Sequence, residues 1–236
     1  MKLLAIETAT EACSVALWSD GEVRERFEIA PRRHAELVLP WCDALLAEAG
    51  VSRAQLDAIA VGRGPGAFTG VRLAIAVAQG IALGLGRPLV AMSTLQVLAA
   101  GANARDGDRV LAAIDARMHE VYWASYCIRD GIPQETSPEA VVAPAAIDVE
   151  GDGWHGIGTG FSAGDSELAK RLKQQFVAID AAALPHAADL SRLAATAFAR
   201  GEIVSPDLVE PAYLRNNVAL TLVEQQAARV RKETTR

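Results

Sequence analysis

One glycine-rich segment, residues 62–72, constrains the fold of this chain more than any other. It reads Gly-Arg-Gly-Pro-Gly-Ala-Phe-Thr-Gly-Val-Arg and lies between a short apolar run, residues 58–61, and a long apolar run, residues 73–85. This order predicts a buried strand, a turn and a helix, with several backbone N–H groups at one helix N-terminus. Such a turn can bind an anion, or it can let a helix pack closely on a sheet. The P-loop lysine is missing and Pro65 stiffens the turn, so the spacing alone favours a structural turn.

The composition limits the classes of function. The chain has 236 residues, enough for one large domain or two small lobes, and its formal net charge is −6. Because nucleic-acid backbones are bound by clustered Lys and Arg, we expect any contact with nucleic acid to need a partner. The three cysteines form no Cys-x-x-Cys pair, which is typical of a reducing compartment. The sequence has no signal-peptide pattern and no apolar run of about 20 residues, so it predicts a cytoplasmic protein without a membrane span.

The remaining pattern predicts an α/β protein. Apolar runs before residue 30 predict a meander of strands, and Asp20-Gly21 marks a tight hairpin within it. Apolar residues at helical spacing predict a helix over residues 34–48. The polar, glycine-containing residues 103–108 are the best candidate for a boundary between two lobes.

A possible phosphate-binding turn follows the first predicted strand. Residues 7–10 read Glu-Thr-Ala-Thr, where actin-like ATPases and sugar kinases have Asp-x-Gly-Ser/Thr for phosphate and Mg²⁺. Ala9 stands in the place of the glycine; it does not readily adopt positive φ, and its methyl group obstructs a phosphate. Glu7, Thr8 and Thr10 are therefore candidate cofactor-binding residues of a degenerate turn. A weakened or absent nucleotide site is favoured over a working one, and we expect no cofactor.

Two other clusters are interpreted as structural. Residues 158–163 match Gly-x-Gly-x-x-Ala with Asp180 at the dinucleotide-binding spacing, but Asp165 and Glu167 at the helix start would repel a pyrophosphate. Residues 115–120, Asp-Ala-Arg-Met-His-Glu, could bind a metal or do acid–base chemistry, although a polar turn is favoured. No His-x-x-x-His or His-Glu-x-x-His spacing occurs, so the sequence predicts no metal site and no catalytic residue.

Several segments together resemble the TsaB (YeaZ-type) family, although many members have aspartate at the position of Glu7. The segments that carry the resemblance occur in the expected order and are residues 4–17, 64–72, 115–122 and 213–215. The resemblance implies an actin-like ATPase fold (ASKHA, ribonuclease H-like) of the α/β class, with two lobes of which the second is reduced. It implies a first lobe over residues 1–103, to which a C-terminal helix over about 218–232 returns, and a second lobe over residues 104–217.

The resemblance also implies a function. Members of this family are accessory subunits in the formation of N6-threonylcarbamoyladenosine at position 37 of tRNAs that read ANN codons. They bind and activate the larger catalytic paralogue TsaD together with the ATPase TsaE, contact tRNA only through that complex, and form homodimers when alone. In TsaD-type proteins a metal-binding His-x-x-x-His follows the corresponding strand. Here residues 92–98 contain no His, Cys, Asp or Glu, so a metal centre cannot form there and the chain is expected not to be an enzyme.

Two further classes of function stay open. One is a nucleotide-dependent kinase or acyl-phosphate enzyme on the same fold, which the alanine at position 9 opposes. The other is a peptidase, suggested by the "glycoprotease" labels in this superfamily and opposed by the missing metal motif. Binding of ATP by the isolated chain would separate the kinase from the accessory subunit.

The partner interface is predicted on two helices of the first lobe. Apolar residues cover more than one stripe of the helix over residues 70–85, which is more than a helix needs when only one side faces a sheet. One side is therefore expected to meet another chain, and family members form their dimers through this lobe. The predicted interface residues are Leu37, Trp41, Leu45, Ala74 and Ala78. Arginine at Ala78 is expected to block dimerisation while the chain stays folded.

Overall fold

The computed structural model describes residues 1–215, which form two β-sheets with helices packed on their faces. The first sheet consists of β1 (Lys2–Glu7), β2 (Ala12–Ser19), β3 (Glu22–Ile29), β4 (Ala58–Gly62) and β5 (Leu89–Met92). Its order is β3-β2-β1-β4-β5, with an antiparallel meander at one side and the parallel strands β1, β4 and β5 at the other. The hairpin between β2 and β3 turns at Asp20 and Gly21, which both have positive φ.

Helices cover both faces of this sheet. The helices of residues 1–215 are α1 (His34–Glu48), α2 (Phe68–Leu85), α3 (Thr94–Ala100), α4 (Ala163–Arg171) and α5 (Ala187–Ala199). Of these, α4 belongs to the second sheet and not to the first. Because side chains alternate along a strand, Leu4 and Ile6 of β1 pack with α1 and α2, whereas Leu3 and Ala5 pack with α5. The strand is buried on both faces, and this explains its continuous apolar sequence.

The second sheet is also mixed. Its strands are β6 (Arg109–Asp115), β7 (Val121–Arg129), β8 (Ile132–Glu135), β9 (Ala140–Val142), β10 (Trp154–Ile157) and β11 (Phe176–Asp180). Their order is β11-β10-β6-β7-β8, and β9 pairs with β7. Leu95 and Leu98 of α3 pack on one face of this sheet, while Phe161 and Leu168 pack on the other. The helix α3 also contacts α5, so it lies between the two sheets.

The predicted α/β class is confirmed by the two mixed sheets and the helices packed on them. The division of the chain after residue 103 stays a prediction. The helix α5 lies inside the range predicted for the second lobe, residues 104–217, yet it packs on β1 and β2 of the first sheet. The predicted C-terminal helix at about 218–232 lies outside the described residues.

Candidate functional site

The turn between β1 and β2 is buried, and its polar groups bind the chain itself. The Thr8 hydroxyl donates a hydrogen bond to the Gly70 carbonyl oxygen at 2.7 Å. The Thr10 hydroxyl oxygen accepts the Ala12 N–H at 3.3 Å. Glu7 is 1% exposed, and its carboxyl group accepts the Ala9 N–H at 2.7 Å and the Thr94 hydroxyl at 3.0 Å. All three residues predicted to hold a cofactor therefore form hydrogen bonds within the chain through their side chains.

The glycine-rich segment packs directly on this turn. A Cβ atom at Gly66 would overlap the Ala9 carbonyl oxygen, and one at Gly70 would overlap the Thr8 carbonyl oxygen. The Ala67 N–H donates to the Ala9 carbonyl oxygen at 2.6 Å. These glycines allow the N-terminal end of α2 to approach the β1–β2 turn closely, and the contact fills the space beside the degenerate phosphate turn. The geometry fits a structural role for the glycine-rich turn.

Glu7 lies in an environment that favours its neutral form. Burial raises the pKa of its carboxyl group from 4.5 to about 7, although the hydrogen bonds from Ala9, Thr94 and Thr8 act in the opposite direction. A Cβ atom at Gly62 would overlap this carboxyl group, so a glycine at the end of β4 makes room for it. The longer side chain of glutamate thus reaches across β4 and joins the β1–β2 turn to the start of α3.

Two segments that carry the family resemblance lie against each other. The Arg215 guanidinium donates to the Ala116 carbonyl oxygen at 3.2 Å and forms an ion pair with Glu120. The Asp115 carboxylate accepts the Arg117 N–H at 2.8 Å, which closes the turn between β6 and β7. Within residues 1–215, no group of three or more His, Cys, Asp and Glu side chains is placed to hold a metal. The cluster forms a polar turn tied to the C-terminal part of the described chain.

The glycines near residue 158 serve packing. Gly158 has a φ of 107°, and a Cβ atom there would overlap the Ala113 carbonyl oxygen. A Cβ atom at Gly160 would lie 2.6 Å from the Ala113 side chain. The match to a dinucleotide-binding pattern therefore coincides with a close contact between this turn and β6.

Three of the five predicted interface residues are buried and therefore not accessible to a partner. Leu45, Ala74 and Ala78 are 2%, 0% and 0% exposed and belong to the core between the first sheet and helices α1 and α2. Leu37 and Trp41 are half-buried and pack against the same core. The alanines face the sheet because small side chains let the helix approach it closely. An arginine at Ala78 would place an unpaired charge in the core, so the structure leads us to expect a destabilised variant rather than a folded one.

The outer face of α2, defined here as Thr69, Leu73, Ala76, Gly80 and Leu83, is accessible instead. These residues follow a spacing of four and three, so they form one stripe along the helix. Leu83 is 63% exposed, and a Cβ atom at Gly80 would meet nothing within 4 Å. Helix α2 is apolar and long enough, judged by length and composition, to cross a membrane. The other side of α2 is buried against the sheet. The apolar residues that this packing does not use lie on the exposed stripe.

An aromatic and cationic cluster lies at the N-terminal end of the same helix. The Arg72 guanidinium lies 3.2 Å from the centre of the Phe68 ring and donates to the Tyr213 hydroxyl at 2.6 Å. Both aromatic side chains are largely exposed. Sequence reasoning missed this cluster, although the i, i+4 spacing of Phe68 and Arg72 was a usable signal. Tyr213 is 141 residues from Arg72 in the sequence, so their contact could be found only from the structure.

Comparisons with known proteins identify the class. Residues 27–223 match the family model described as TsaD, tRNA N6-adenosine threonylcarbamoyltransferase. The structure of YeaZ from Pseudomonas aeruginosa is 48% identical, with a TM-score of 0.82, and the match covers 90% of this chain and 99% of that one. The chain thus contains a TsaD-like domain, and the predicted actin-like (ASKHA), two-lobed fold is confirmed.

Two curated relatives define the family within that class. The "tRNA threonylcarbamoyladenosine biosynthesis protein TsaB" of Escherichia coli (strain K12) is 47% identical over 228 residues, which are 93% of this chain and 96% of the relative. The protein of the same name from Haemophilus influenzae is 38% identical, over 92% of this chain and 95% of the relative. The chain belongs to the TsaB family, and the resemblance found in its sequence is confirmed.

Proposed function

We propose that this chain is a non-catalytic accessory subunit in the formation of N6-threonylcarbamoyladenosine at position 37 of tRNAs that read ANN codons. It acts in the cytoplasm, where it binds and activates a TsaD-type catalytic paralogue together with a TsaE-type ATPase. It contacts tRNA only through that complex. Membership of the TsaB family supports the pathway, and the exposed outer face of α2 is the observation that carries the partner-binding role.

Two features support a non-catalytic role. The segment 92–98 forms the end of β5 and most of α3 and contains no His, Cys, Asp or Glu. The β1–β2 turn is packed against Gly66 and Gly70, and its carboxyl group is buried and hydrogen-bonded internally. Neither place presents a cluster of metal-binding side chains or an accessible carboxyl group that could activate a nucleophile.

The contrast between the buried side and the exposed side of α2 supports the partner-binding role. The buried side, with Ala74 and Ala78, already gives the lobe its own core. The outer face adds apolar surface that the described residues, 1–215, leave exposed, and Ala76 and Gly80 would let a partner helix approach closely. The adjacent Arg72 cluster consists of the aromatic and arginine side chains that are enriched at the centres of interfaces. In the absence of the paralogue, a second copy of the chain occupies this face.

Complementation tests the proposal. In a strain depleted of its own TsaB protein, the wild-type chain should restore N6-threonylcarbamoyladenosine, measured by mass spectrometry of nucleosides from total tRNA. Ala76→Arg, on the outer face, should fail to restore it. Ala146→Arg makes the same change at an exposed position of the second lobe and should restore it fully. Restoration by Ala76→Arg would show that the outer face is not the docking surface.

Calorimetry with Mg-ATP tests the alternative function. The isolated chain should bind ATP weakly or not at all, because the β1–β2 turn is closed by its own contacts. Micromolar affinity of the isolated chain for Mg-ATP would favour a nucleotide-dependent enzyme on this fold.

A further inference from the structure

A buried carboxylate occupies the edge of the first sheet at which ligands of α/β folds bind. Arg63 directly follows β4, and Ser93 directly follows β5, its parallel neighbour. In open α/β sheets the ligand crevice lies outside the carboxyl ends of the parallel strands. Here that place is taken by Glu139, which comes from the second sheet, one residue before the start of β9 at Ala140.

The Glu139 carboxylate is held by groups from the other lobe. The Ser93 hydroxyl donates a hydrogen bond to Glu139 Oε1, and the Arg63 Nη2 atom lies 3.4 Å from Glu139 Oε2. The side chain of Glu139 is 8% exposed, whereas Arg63 remains partly open to solvent. A charge that is buried to this degree needs donors of this kind to balance the loss of its hydration.

A third polar group, the hydroxyl of Tyr126, adjoins the cluster. Tyr126 of β7 is 1% exposed, and its hydroxyl group lies close to the Ser93 hydroxyl, although no hydrogen bond of good geometry holds it within the described residues. The group lies beside Ser93 and Glu139, and burial raises the pKa of Tyr126 well above its usual value. The carboxylate of Glu135 also lies near Tyr126. Buried hydroxyl groups are usually well paired, so the Tyr126 hydroxyl, to which Glu139 offers no well-formed hydrogen bond, is a donor that an oxyanion at this place could use.

The backbone N–H groups at the start of α3 do not contribute. Ser93 Oγ accepts the N–H groups of Leu95 and Gln96 at 3.1 and 3.2 Å. The cluster therefore consists of side chains, namely Arg63, Ser93 and Tyr126, around one oxyanion.

We propose that these three side chains form an oxyanion-binding site between the lobes, and that Glu139 is its built-in occupant. The ligand class is a carboxylate or a phosphate, both of which present oxygens to an arginine and to hydroxyl donors. Because Glu139 is tethered to the site, it competes with free anions at a high effective concentration. The wild-type chain consequently excludes external oxyanions from this place, and the same contact fastens one lobe to the other.

Removal of the occupant tests the proposal. In Glu139→Ala the side chains of Arg63, Ser93 and Tyr126 remain, and the vacated space should accept an external anion. We expect the association constant for inorganic phosphate or acetate, measured by calorimetry, to be at least about tenfold higher than that of the wild type. The melting temperature should also rise in phosphate or acetate relative to chloride at equal ionic strength and pH. The acetate arm and the phosphate arm show whether the site fits a carboxylate or a larger anion.

Two controls assign the effect to the site. Glu139→Gln keeps the space filled and should show no gain for either anion. The double variant Glu139→Ala, Arg63→Ala lacks the cationic donor and should lose the gain. The proposal is wrong if folded Glu139→Ala gains affinity for neither anion, if the gain survives in the double variant, or if Glu139→Ala is unfolded in all three salts. None of these measurements involves a partner protein, so their failure would leave the proposed function standing.

Discussion

Replacing Glu7 by glutamine should remove a loss of stability that the wild-type chain suffers as the pH rises. Burial raises the pKa of this carboxyl group from 4.5 to about 7, so between these pH values the folded chain holds a proton that the unfolded chain has released. The free energy of unfolding therefore falls across this window. From 4.5 to 7 is a difference of about 2.5 pH units, which corresponds to about 3 kcal/mol at 1.36 kcal/mol per unit.

Glutamine has nearly the same shape as glutamate and has no carboxyl group that could ionise. Its carbonyl oxygen can accept the Ala9 N–H, and its amide group can donate to the Thr94 hydroxyl oxygen, in place of the two bonds that Glu7 makes. Imperfect replacement of one bond costs about 1 kcal/mol. We therefore expect Glu7→Gln to be more stable than the wild type by about 2 kcal/mol at pH 8, and to be no more stable at pH 4.5.

Urea unfolding at a series of pH values from 4.5 to 8 measures this effect. The difference between the two proteins should grow with pH across this range and become constant above the pKa of Glu7. Glu22→Gln, which changes an exposed carboxyl group on β3, serves as the matched control and should follow the wild-type curve. Parallel curves for Glu7→Gln and the wild type would refute the argument that burial, rather than local hydrogen bonding, dominates at this residue.

Three further predictions concern packing and pH. Ala78→Arg should lower the free energy of unfolding by at least about 3 kcal/mol in urea, because its side chain lies in the core. Gly70→Ala should lower the melting temperature because its Cβ would overlap the Thr8 carbonyl, whereas Gly80→Ala, with open space at its Cβ, should be stabilised by up to about 1 kcal/mol. The hydrogen bond from His186 to Glu25 raises the pKa of His186 above 6.5, so this pair stabilises the fold below pH 6.5 and loses that contribution as the pH rises through the raised value. Urea unfolding of Glu25→Gln should accordingly show a larger deficit at pH 6 than at pH 9; an equal deficit would contradict the pairing.

Local sequence signals were sufficient where a structure depends on neighbouring residues. The helix over residues 34–48 has the bounds that its apolar spacing predicted. The strand, turn and helix around residues 58–85 were also predicted, because glycine and proline mark the turn between two apolar runs. These elements need no information about distant parts of the chain.

The orientation of α2 could not be predicted in the same way. Its apolar residues form more than one stripe, and periodicity alone does not say which stripe faces the sheet. The close approach of the helix to β1 and β4 selects Ala74 and Ala78 for the buried side, and this leaves Ala76 and Gly80 outside. The sequence identified the helix that carries excess apolar surface, but two of the residues it assigned to the interface, Ala74 and Ala78, lie on the buried side of that helix.

The contacts between the lobes were beyond sequence reasoning for a different reason. Glu139 meets Arg63 across 76 residues of chain, and Arg72 meets Tyr213 across 141. Single charged or aromatic residues in loops are common, and no spacing rule connects two of them over such distances. Glu7 gave a partial signal, since its departure from aspartate was visible, but its reach to Thr94 depends on the glycine at position 62.

The central claim is that the outer face of α2 binds a TsaD-type paralogue, and a direct binding measurement tests it. Calorimetric titration of the purified paralogue from the same organism with the wild-type chain and with Ala76→Arg gives both dissociation constants. Thermal unfolding should first show that the two chains, and the control Ala146→Arg, have the same melting temperature. The account predicts wild-type binding for the control and a dissociation constant at least about 100-fold higher for Ala76→Arg, because an interface cannot accommodate an unpaired charge at its centre. Equal dissociation constants for the wild type and a folded Ala76→Arg would contradict it.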